Sequence, residues 1–496
     1  MEYIVNAKEM KYCDENTISH YGIPSLVLME RAALSVVEEI FRRGMDCRNV
    51  LILCGSGNNG ADGLAVARLL YLKGISVQVY LTGDKKRFSP QMKQQYEIAM
   101  KYNIPFVTSC EPDYSLVVDA VFGIGLSRRP DEVLTHLFDQ INQWNCEKIS
   151  VDIPSGISAD HGNLMGAAFR ADVTVTFAYK KLGMLLYPSA EYCGDICVAD
   201  IGINAYSWLD RKASMCHLVR EDLNKLEKRR ADGNKGSFGK VLLVAGSVNM
   251  AGAAVLAAQA AYRSGCGVVR IYTPEENRLI LQTSVPEAIL TTYSSKKPDL
   301  SELNECLSWS DVIIIGPGLG KREAARTILR NTLQNAAVPM VLDADALNIL
   351  SEQPEQLLKP HTEMIVTPHI GEMARLTGLA PSYIKENIVQ TAEEFSRTYN
   401  VICVLKDCRS VIAVPYGRTY LNLSGNDGMA TAGSGDVLAG MIGSLLAQGN
   451  KAEYAAALGA YIHGLAGDTA KDDTGRRSMM AQDLVNNIPD ILKEYK

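Results

Sequence analysis

The chain lacks most features that would announce a simple function. No apolar run reaches membrane-spanning length, since even the stretch from Ala251 to Tyr262 stops at Arg263, so no helical span and no membrane partner is expected. Basic residues are not in excess: Lys and Arg number 50 against 56 Asp and Glu, a formal net charge of -6. A nucleic-acid binder would carry a basic stripe, so none is expected as partner. The 12 cysteines form no CxxC pair and no His/Cys cluster at zinc spacing. Cys193 and Cys197 come closest, and all are read as reduced core thiols. The pattern Gly-x-x-x-x-Gly-Lys-Ser/Thr is absent, which excludes a Walker-type ATPase. Low-complexity tracts, heptads and short internal repeats are also missing. Glu2-Tyr-Ile-Val-Asn-Ala-Lys-Glu follows Met1 where a secretory signal would be basic and then apolar, so the expected location is the cytoplasm.

What is present is an ordinary globular composition, 47% hydrophobic and 21% charged, in 496 residues. That length is too great for one compact core and suits two or three domains. Both halves alternate short β-branched runs with longer helical patterns, the signature of parallel α/β sheets. The first half offers strands at Val50–Cys54, Val77–Leu81, Leu116–Val118, Ile149–Val151 and Val173–Phe177, with helices over Leu26–Phe41 and Ala61–Leu72. The second offers Val241–Val244, Val268–Ile271, Val312–Ile315, Met340–Leu342, Met364–Val366 and Val401–Leu405. Between them, Tyr206 to Lys240 is charged, then Gly-rich, and shows no strand pattern. The expected domains are therefore residues 1–215 and 216–496.

The strongest chemical signal is Thr431-Ala-Gly433-Ser-Gly435-Asp436, followed by the helical run Val437 to Leu446. Glycines there let several backbone N–H groups turn toward one point at a helix N-terminus, making an anion cradle. A carboxylate at its end repels phosphate but is well placed to take a proton from an attacking hydroxyl, which points to phosphoryl transfer to an alcohol. The other reading is a Gly-rich helix start with Asp436 as an ordinary first-turn acid. Upstream, Lys406 ends a strand beside the polar turn Asp407-Cys-Arg-Ser410, where a lysine can hold nucleotide phosphate or simply be solvated.

In the first half, strand Val50–Cys54 runs into Gly55-Ser-Gly57-Asn-Asn-Gly60-Ala-Asp-Gly63, a formal GxGxxG in a strand-to-helix context. A dinucleotide fold would use Asp84, near the end of the next strand, for a ribose. Asn58, Asn59 and Asp62 would crowd a pyrophosphate, however, and suit sugar hydroxyls or an oxygen-liganded cation better. Asp119, Asp152 with Ser155, and Lys180-Lys181 stand at other strand ends. Since ligands bind beyond the carboxyl ends of parallel strands, these groups are expected to converge.

Together these motifs resemble the bifunctional NAD(P)H-hydrate repair enzymes over nearly the whole chain. The carriers are Gly22-Ile-Pro-Ser-Leu-Val-Leu-Met-Glu-Arg31, Gly57 to Gly63, Asp119 to Leu126 and Asp152-Ile-Pro-Ser-Gly156 in the first half. In the second they are Lys235-Gly-Ser-Phe-Gly-Lys-Val, Gly252-Ala253, Gly316-Pro-Gly-Leu-Gly320, Asp343-Ala-Asp-Ala-Leu347, Thr367-Pro-His-Ile-Gly-Glu372 and Ala432 to Asp436. The resemblance implies an N-terminal Rossmann-like parallel-sheet epimerase domain, followed by a ribokinase-like α/β dehydratase domain dependent on ADP or ATP.

By that resemblance, Asn58, Asn59, Gly60, Ala61 and Asp62 hold the hydrated nucleotide of the epimerase site, with Gly123, Ile124, Gly125, Leu126, Ser127, Arg128, Arg129 and Asp152. Asn59, Asp119 and Ser155 ligate potassium, and Asp152 handles the proton. In the dehydratase Ala253, Gly318, His369 and Asp436 contact the hydrate, with Asp436 the base. Lys406, Asp407, Cys408, Arg409, Ser410 and Gly435 take the adenine nucleotide, with Mg²⁺. Partners are NADHX, NADPHX and ADP or ATP, in a homo-oligomer. Three positions depart from the family pattern: Asp407 after Lys406, Gly233-Asn234 before Lys235, and Ala245 before Gly246. The rivals are a ribokinase-like small-molecule kinase and a non-catalytic N-terminal binding scaffold.

Overall fold

Val50-Leu-Ile-Leu-Cys54 has no polar alternation because both of its faces are covered, and all five residues are buried, as parallel sheets require. The computed structural model describes residues 1–126, 128–359 and 362–493. The chain divides into two compact units, Tyr3–Ser214 and Met215–Lys496, the latter joined by Met1–Glu2. Among the described residues no helix is long and apolar enough to cross a membrane.

In the first unit the sheet runs, edge to edge, Phe106–Val107, Val77–Leu81, Val50–Cys54, Leu116–Ala120, Glu147–Val151, Val173–Phe177 and Asp195–Ala199. All these pairings are parallel. The order reverses between Val50–Cys54 and Leu116–Ala120, and the loops after these two strands therefore open a crevice. They pass very close: a Cβ on Gly55 would lie 2.1 Å from the Val121 carbonyl oxygen. Helices Ser25–Arg42 and Asn58–Leu72 pack their apolar residues against the sheet. The second helix starts three residues before Ala61, because Gly57 serves as its N-cap in extended geometry.

The second sheet follows Ile289–Tyr293, Val268–Pro274, Lys240–Val244, Val312–Ile315, Met340–Leu342, Met364–Val366 and Ile402–Leu405, all parallel. Two antiparallel strands, Val411–Ala413 and Thr419–Leu421, continue it. Met215–His217 then pairs in parallel with Thr419–Leu421. This last strand corrects the expectation that Tyr206 to Lys240 holds none: three residues are too few to show alternation between charged flanks. Here the order reverses between Lys240–Val244 and Val312–Ile315.

Helix Ser434–Ala447 is buried at nearly every position from Val437 to Leu446. It meets helix Ala251–Arg263 so closely that a Cβ on Gly440 would lie 2.2 Å from the Ala257 carbonyl oxygen. Neither backbone can yield without moving a helix, so Gly440→Ala should cost about 1–3 kcal/mol by overpacking. A lowered denaturation midpoint would register it. All 12 cysteines are free, but not all are core thiols: Cys47, Cys110, Cys146 and Cys197 are half-buried, and Cys408 is exposed in the turn after Ile402–Leu405.

Candidate active sites

The first unit's crevice is organised by Asp119, at the end of a fully buried strand and itself inaccessible. Its carboxylate accepts from Val121 N at 3.2 Å, Ser150 Oγ at 3.0 Å, Ser155 N at 2.8 Å and Ser155 Oγ at 2.6 Å. Phe122 N donates to Ser155 Oγ at 2.8 Å, so one carboxylate staples the loops after two neighbouring strands. Burial pushes the Asp119 carboxyl up to about 6, against the pull of these hydrogen bonds. The donors are all neutral. Asn59 sits in the first turn of the following helix, and its Nδ2 is buried with no partner among the described residues. A buried carboxylate met only by neutral donors has no counter-charge among them, which suits a cation nearby, whereas the unsatisfied Asn59 Nδ2 is a donor and asks for an acceptor such as a substrate oxygen.

Gly123 lies over the crevice: a Cβ there would be 3.3 Å from Asp152 Oδ2 and 3.4 Å from Asn59 Cγ. Asp152 takes the left-handed conformation, φ 70°, although it is not glycine, and such strain collects at functional positions. Its Oδ1 accepts from Lys181 Nζ at 2.5 Å. Asp62, one turn along the same helix as Asn59, has its carboxyl held well above the usual range by burial, with the charges of Asp152 and Asp14 adding to it. Burial also raises Asp14, with Glu15 and Asp152 contributing. The crevice thus gathers Asn59, Asp62, Gly123 and Asp152, with Asp119 and Ser155 beneath.

Other expected positions contribute differently. Gly60 and Ala61 are buried, and a Cβ on Gly60 would meet the Gly55 carbonyl oxygen at 2.0 Å. Asn58, Gly125, Arg128 and Arg129 are exposed, Ile124 and Leu126 are half-buried, and Ser127 lies outside the described residues. Asp84 caps a short turn through Lys86 N at 2.9 Å. Asp14, on helix Ala7–Ser19, gave no sequence signal, since an acid on an amphipathic helix is commonplace.

In the second unit Gly433, at φ 94°, caps helix Ser434–Ala447 in the left-handed conformation that glycine adopts freely. A Cβ on Gly435 would lie 3.1 Å from Lys406 Nζ and 3.7 Å from Asp343 Oδ2. The helix start, the strand-end lysine and a buried carboxylate therefore meet. Asp343 Oδ1 accepts from Lys406 Nζ at 2.8 Å and from Thr367 Oγ1 at 2.6 Å. Asp436 is pushed up to about 7, first by burial, then by Asp343, with Lys406 opposing and Asp345 and Glu372 adding. A carboxylate tuned near neutrality beside a fixed ammonium and backbone donors is equipped to take a proton.

His369 caps the helix Ile370–Thr377: its Nδ1 accepts from Gly371 N at 2.9 Å and Glu372 N at 3.3 Å. Its segment is tied to Lys406, whose backbone N donates to Pro368 O at 2.8 Å. Burial lowers the His369 pKa, and Lys406 and Arg375 lower it further. Gly318 and Ala253 face each other, the Cβ that Gly318 lacks falling 2.9 Å from Ala253 Cβ. In the turn after Lys406, Arg409 Nη1 donates to Leu423 O at 3.1 Å and Ser410 Oγ to Asp407 O at 3.3 Å. His463 was not expected from the sequence. It lies close to the Ser434 backbone, its Nε2 is buried without a partner among the described residues, and burial holds its pKa near 4.

Comparisons with known proteins follow this division. Residues 25–183 match the family described as YjeF-related protein N-terminus, and 241–490 match the family NAD(P)H-hydrate dehydratase. A bifunctional NAD(P)H-hydrate repair enzyme from Moorella thermoacetica is 40% identical, covering 100% of this chain and 97% of the relative. The chain belongs to this family. The Escherichia coli K12 relative of that name is 34% identical over 95% of this chain and 90% of its own. A solved ribokinase-like superfamily protein from Enterococcus faecalis is 28% identical with a TM-score of 0.50, covering 57% of this chain and 98% of its own. The ribokinase-like fold is thus established for the second unit, and the first is a parallel α/β sheet. The first match spans Asn59, Asp119, Asp152 and Lys181 but not Asp14, and the second spans Asp343, Lys406, Asp436 and His463.

Proposed function

We infer that this enzyme repairs hydrated nicotinamide nucleotides: one unit interconverts the R and S epimers of NADHX and NADPHX, and the other dehydrates the S epimer to NADH or NADPH using ADP or ATP. The observation that carries the reading is Asp436 beside Lys406 and Gly435, a base and an anion cradle in one place. Asp436 takes the proton of the hydroxyl on carbon 6 as its oxygen attacks the terminal phosphorus of the nucleotide. Backbone N–H groups of Gly433 to Gly435 and the Lys406 ammonium stabilise the charge that spreads over the transferring phosphoryl group. The ring nitrogen lone pair then expels phosphate, and carbon 5 gives up a proton to form the double bond. AMP or ADP and inorganic phosphate are released. Mg²⁺ bound with the nucleotide supplies further charge neutralisation. Ala253, Gly318 and His369 receive the hydrate, and the turn from Lys406 to Ser410 receives the adenine nucleotide.

Both routes that invert carbon 6, loss and return of its hydroxyl or opening of the ring, need one group that takes a proton and one that gives it. Asp152, held against an ammonium, serves as acceptor. Asp62, whose burial favours the protonated form, serves as donor. Asn59, Asp119 and Ser155 would hold a potassium ion, which would compensate the buried Asp119 charge. Epimerisation should therefore slow several-fold when potassium is replaced by a large organic cation, with equal rates in both media counting against the ion.

The same reading places the enzyme in the cytoplasm, where its free thiols stay reduced, and as a homo-oligomer. Its direct test is incubation with mixed hydrate epimers and ADP or ATP. Reduced nicotinamide absorbance should rise to full conversion. A kinase would instead leave a stable phosphate ester.

A further inference from the structure

Lys181 is completely buried, and its side chain reaches three acceptors: Asp152 Oδ1 at 2.5 Å, Thr176 Oγ1 at 2.8 Å and Phe177 O at 3.1 Å. An ammonium has three donors, so none is left over for a ligand. Asp152 is used unevenly. Oδ1 takes the lysine and, at 3.4 Å, the Thr176 hydroxyl, whereas Oδ2 accepts no hydrogen bond among the described residues. Oδ2 is also the oxygen that faces Gly123.

The frame around the lysine is rigid. Val5 and Lys181 are register partners in a parallel strand pair, and Gly183 N donates to Ala159 O at 2.9 Å just beyond. Asp152 is pinned by its own N–H, bonded to Val175 O at 2.8 Å, in the strained left-handed conformation. A buried pair serving stability alone would satisfy both carboxylate oxygens. This one is built to leave Oδ2 open.

We propose that Lys181 is a positioning residue of the first unit's site: it anchors Asp152 through Oδ1 and aims Oδ2 at the substrate. The proposal rests on the reading of this site as the epimerase. The ionisable groups around Asp152 are Lys181 itself, Asp62 from helix Asn58–Leu72 and Asp14 from helix Ala7–Ser19.

The test is the steady-state kinetics of epimerisation by the full-length enzyme, with Lys181→Met and Asp152→Asn compared singly and together. Loss of the ammonium should cut kcat about a hundredfold with KM little changed, as misplacement of a reacting group does. Added to Asp152→Asn, Lys181→Met should cost nothing further, since both act through one group. Lys181→Met with the parent's kcat, alongside an inactive Asp152→Asn, overturns the role of Lys181 while leaving the epimerase reading intact. An active Asp152→Asn removes Asp152 from the chemistry and overturns the proposal with it, whereas a parent enzyme that does not epimerise the hydrate overturns the epimerase reading itself. Should Lys181→Met fail to fold, Thr176→Val decides, because it removes one anchor and no charge. A roughly tenfold fall in kcat with KM little changed supports the proposal, and the parent's kcat overturns it.

Discussion

Asp436→Asn should abolish nucleotide-dependent dehydration, by about 10² to 10⁴-fold, and leave epimerisation at the parent's rate. The amide keeps the size and polarity of the side chain but cannot take the hydroxyl proton. That loss corresponds to about 3–5 kcal/mol of barrier at 1.36 kcal/mol per decade. In the parent, Asp436 works only when ionised, and burial with the Asp343 charge sets its pKa at about 7. Dehydration kcat/KM should accordingly fall as pH drops through 7. Asp343→Asn removes the acidic neighbour that raises it, so the limb should move to lower pH, with activity also reduced because Lys406 loses its partner. Dehydration by Asp436→Asn within about tenfold of the parent would remove this carboxylate from the chemistry, whereas a limb near pH 4 would refute only the upward shift of its pKa.

Asp152→Asn should stall the overall repair. Supplied with an equal mixture of epimers and ADP or ATP, this variant should convert about half the substrate quickly and the rest only as fast as spontaneous epimerisation allows, if dehydration is confined to one epimer. Adding the full-length Asp436→Asn protein, which makes no NADH by itself, should restore complete conversion. Each variant then supplies the activity the other lacks. Absorbance of reduced nicotinamide follows both phases in one cuvette. Complete conversion by Asp152→Asn alone would remove Asp152 from the epimerase, and no rescue in the mixture would favour a first unit that only binds.

Much of this architecture is legible in the residue pattern, for identifiable reasons. Val312-Ile-Ile-Ile315 and Val50 to Cys54 are continuous β-branched or apolar runs, which only a sheet covered on both faces explains. Met215–His217 and Thr419–Leu421 are not legible because each mixes a polar residue into three, unlike the equally short but wholly apolar Met340–Leu342 and Met364–Val366. The convergence of Asp119, Ser155 and Asp152 follows from strand ends meeting on one side of a parallel sheet. Lys406 and Gly435 were singled out by local chemistry, one a lysine at a strand end and the other a glycine at a helix start. Asp14 and His463 could not be: each looks ordinary on its helix, and only packing brings the histidine beneath Ser434. For His369 the same packing shows that its Nδ1 is occupied by a helix cap, while Nε2 lies 3.5 Å from Glu372 Oε1.

The staple at Asp119 bears on motion as well as on binding. Val121 N and Ser155 N donate to its carboxylate, while Phe122 N donates to the Ser155 hydroxyl that in turn donates back to Asp119. These amides belong to loops more than thirty residues apart in the chain, yet each bond depends on the same two side chains. Neither loop can loosen alone, because releasing one leaves a buried carboxylate short of donors on the other. The mouth of this crevice therefore breathes as one cooperative unit, and its opening free energy is a property of Asp119 and Ser155 more than of either loop.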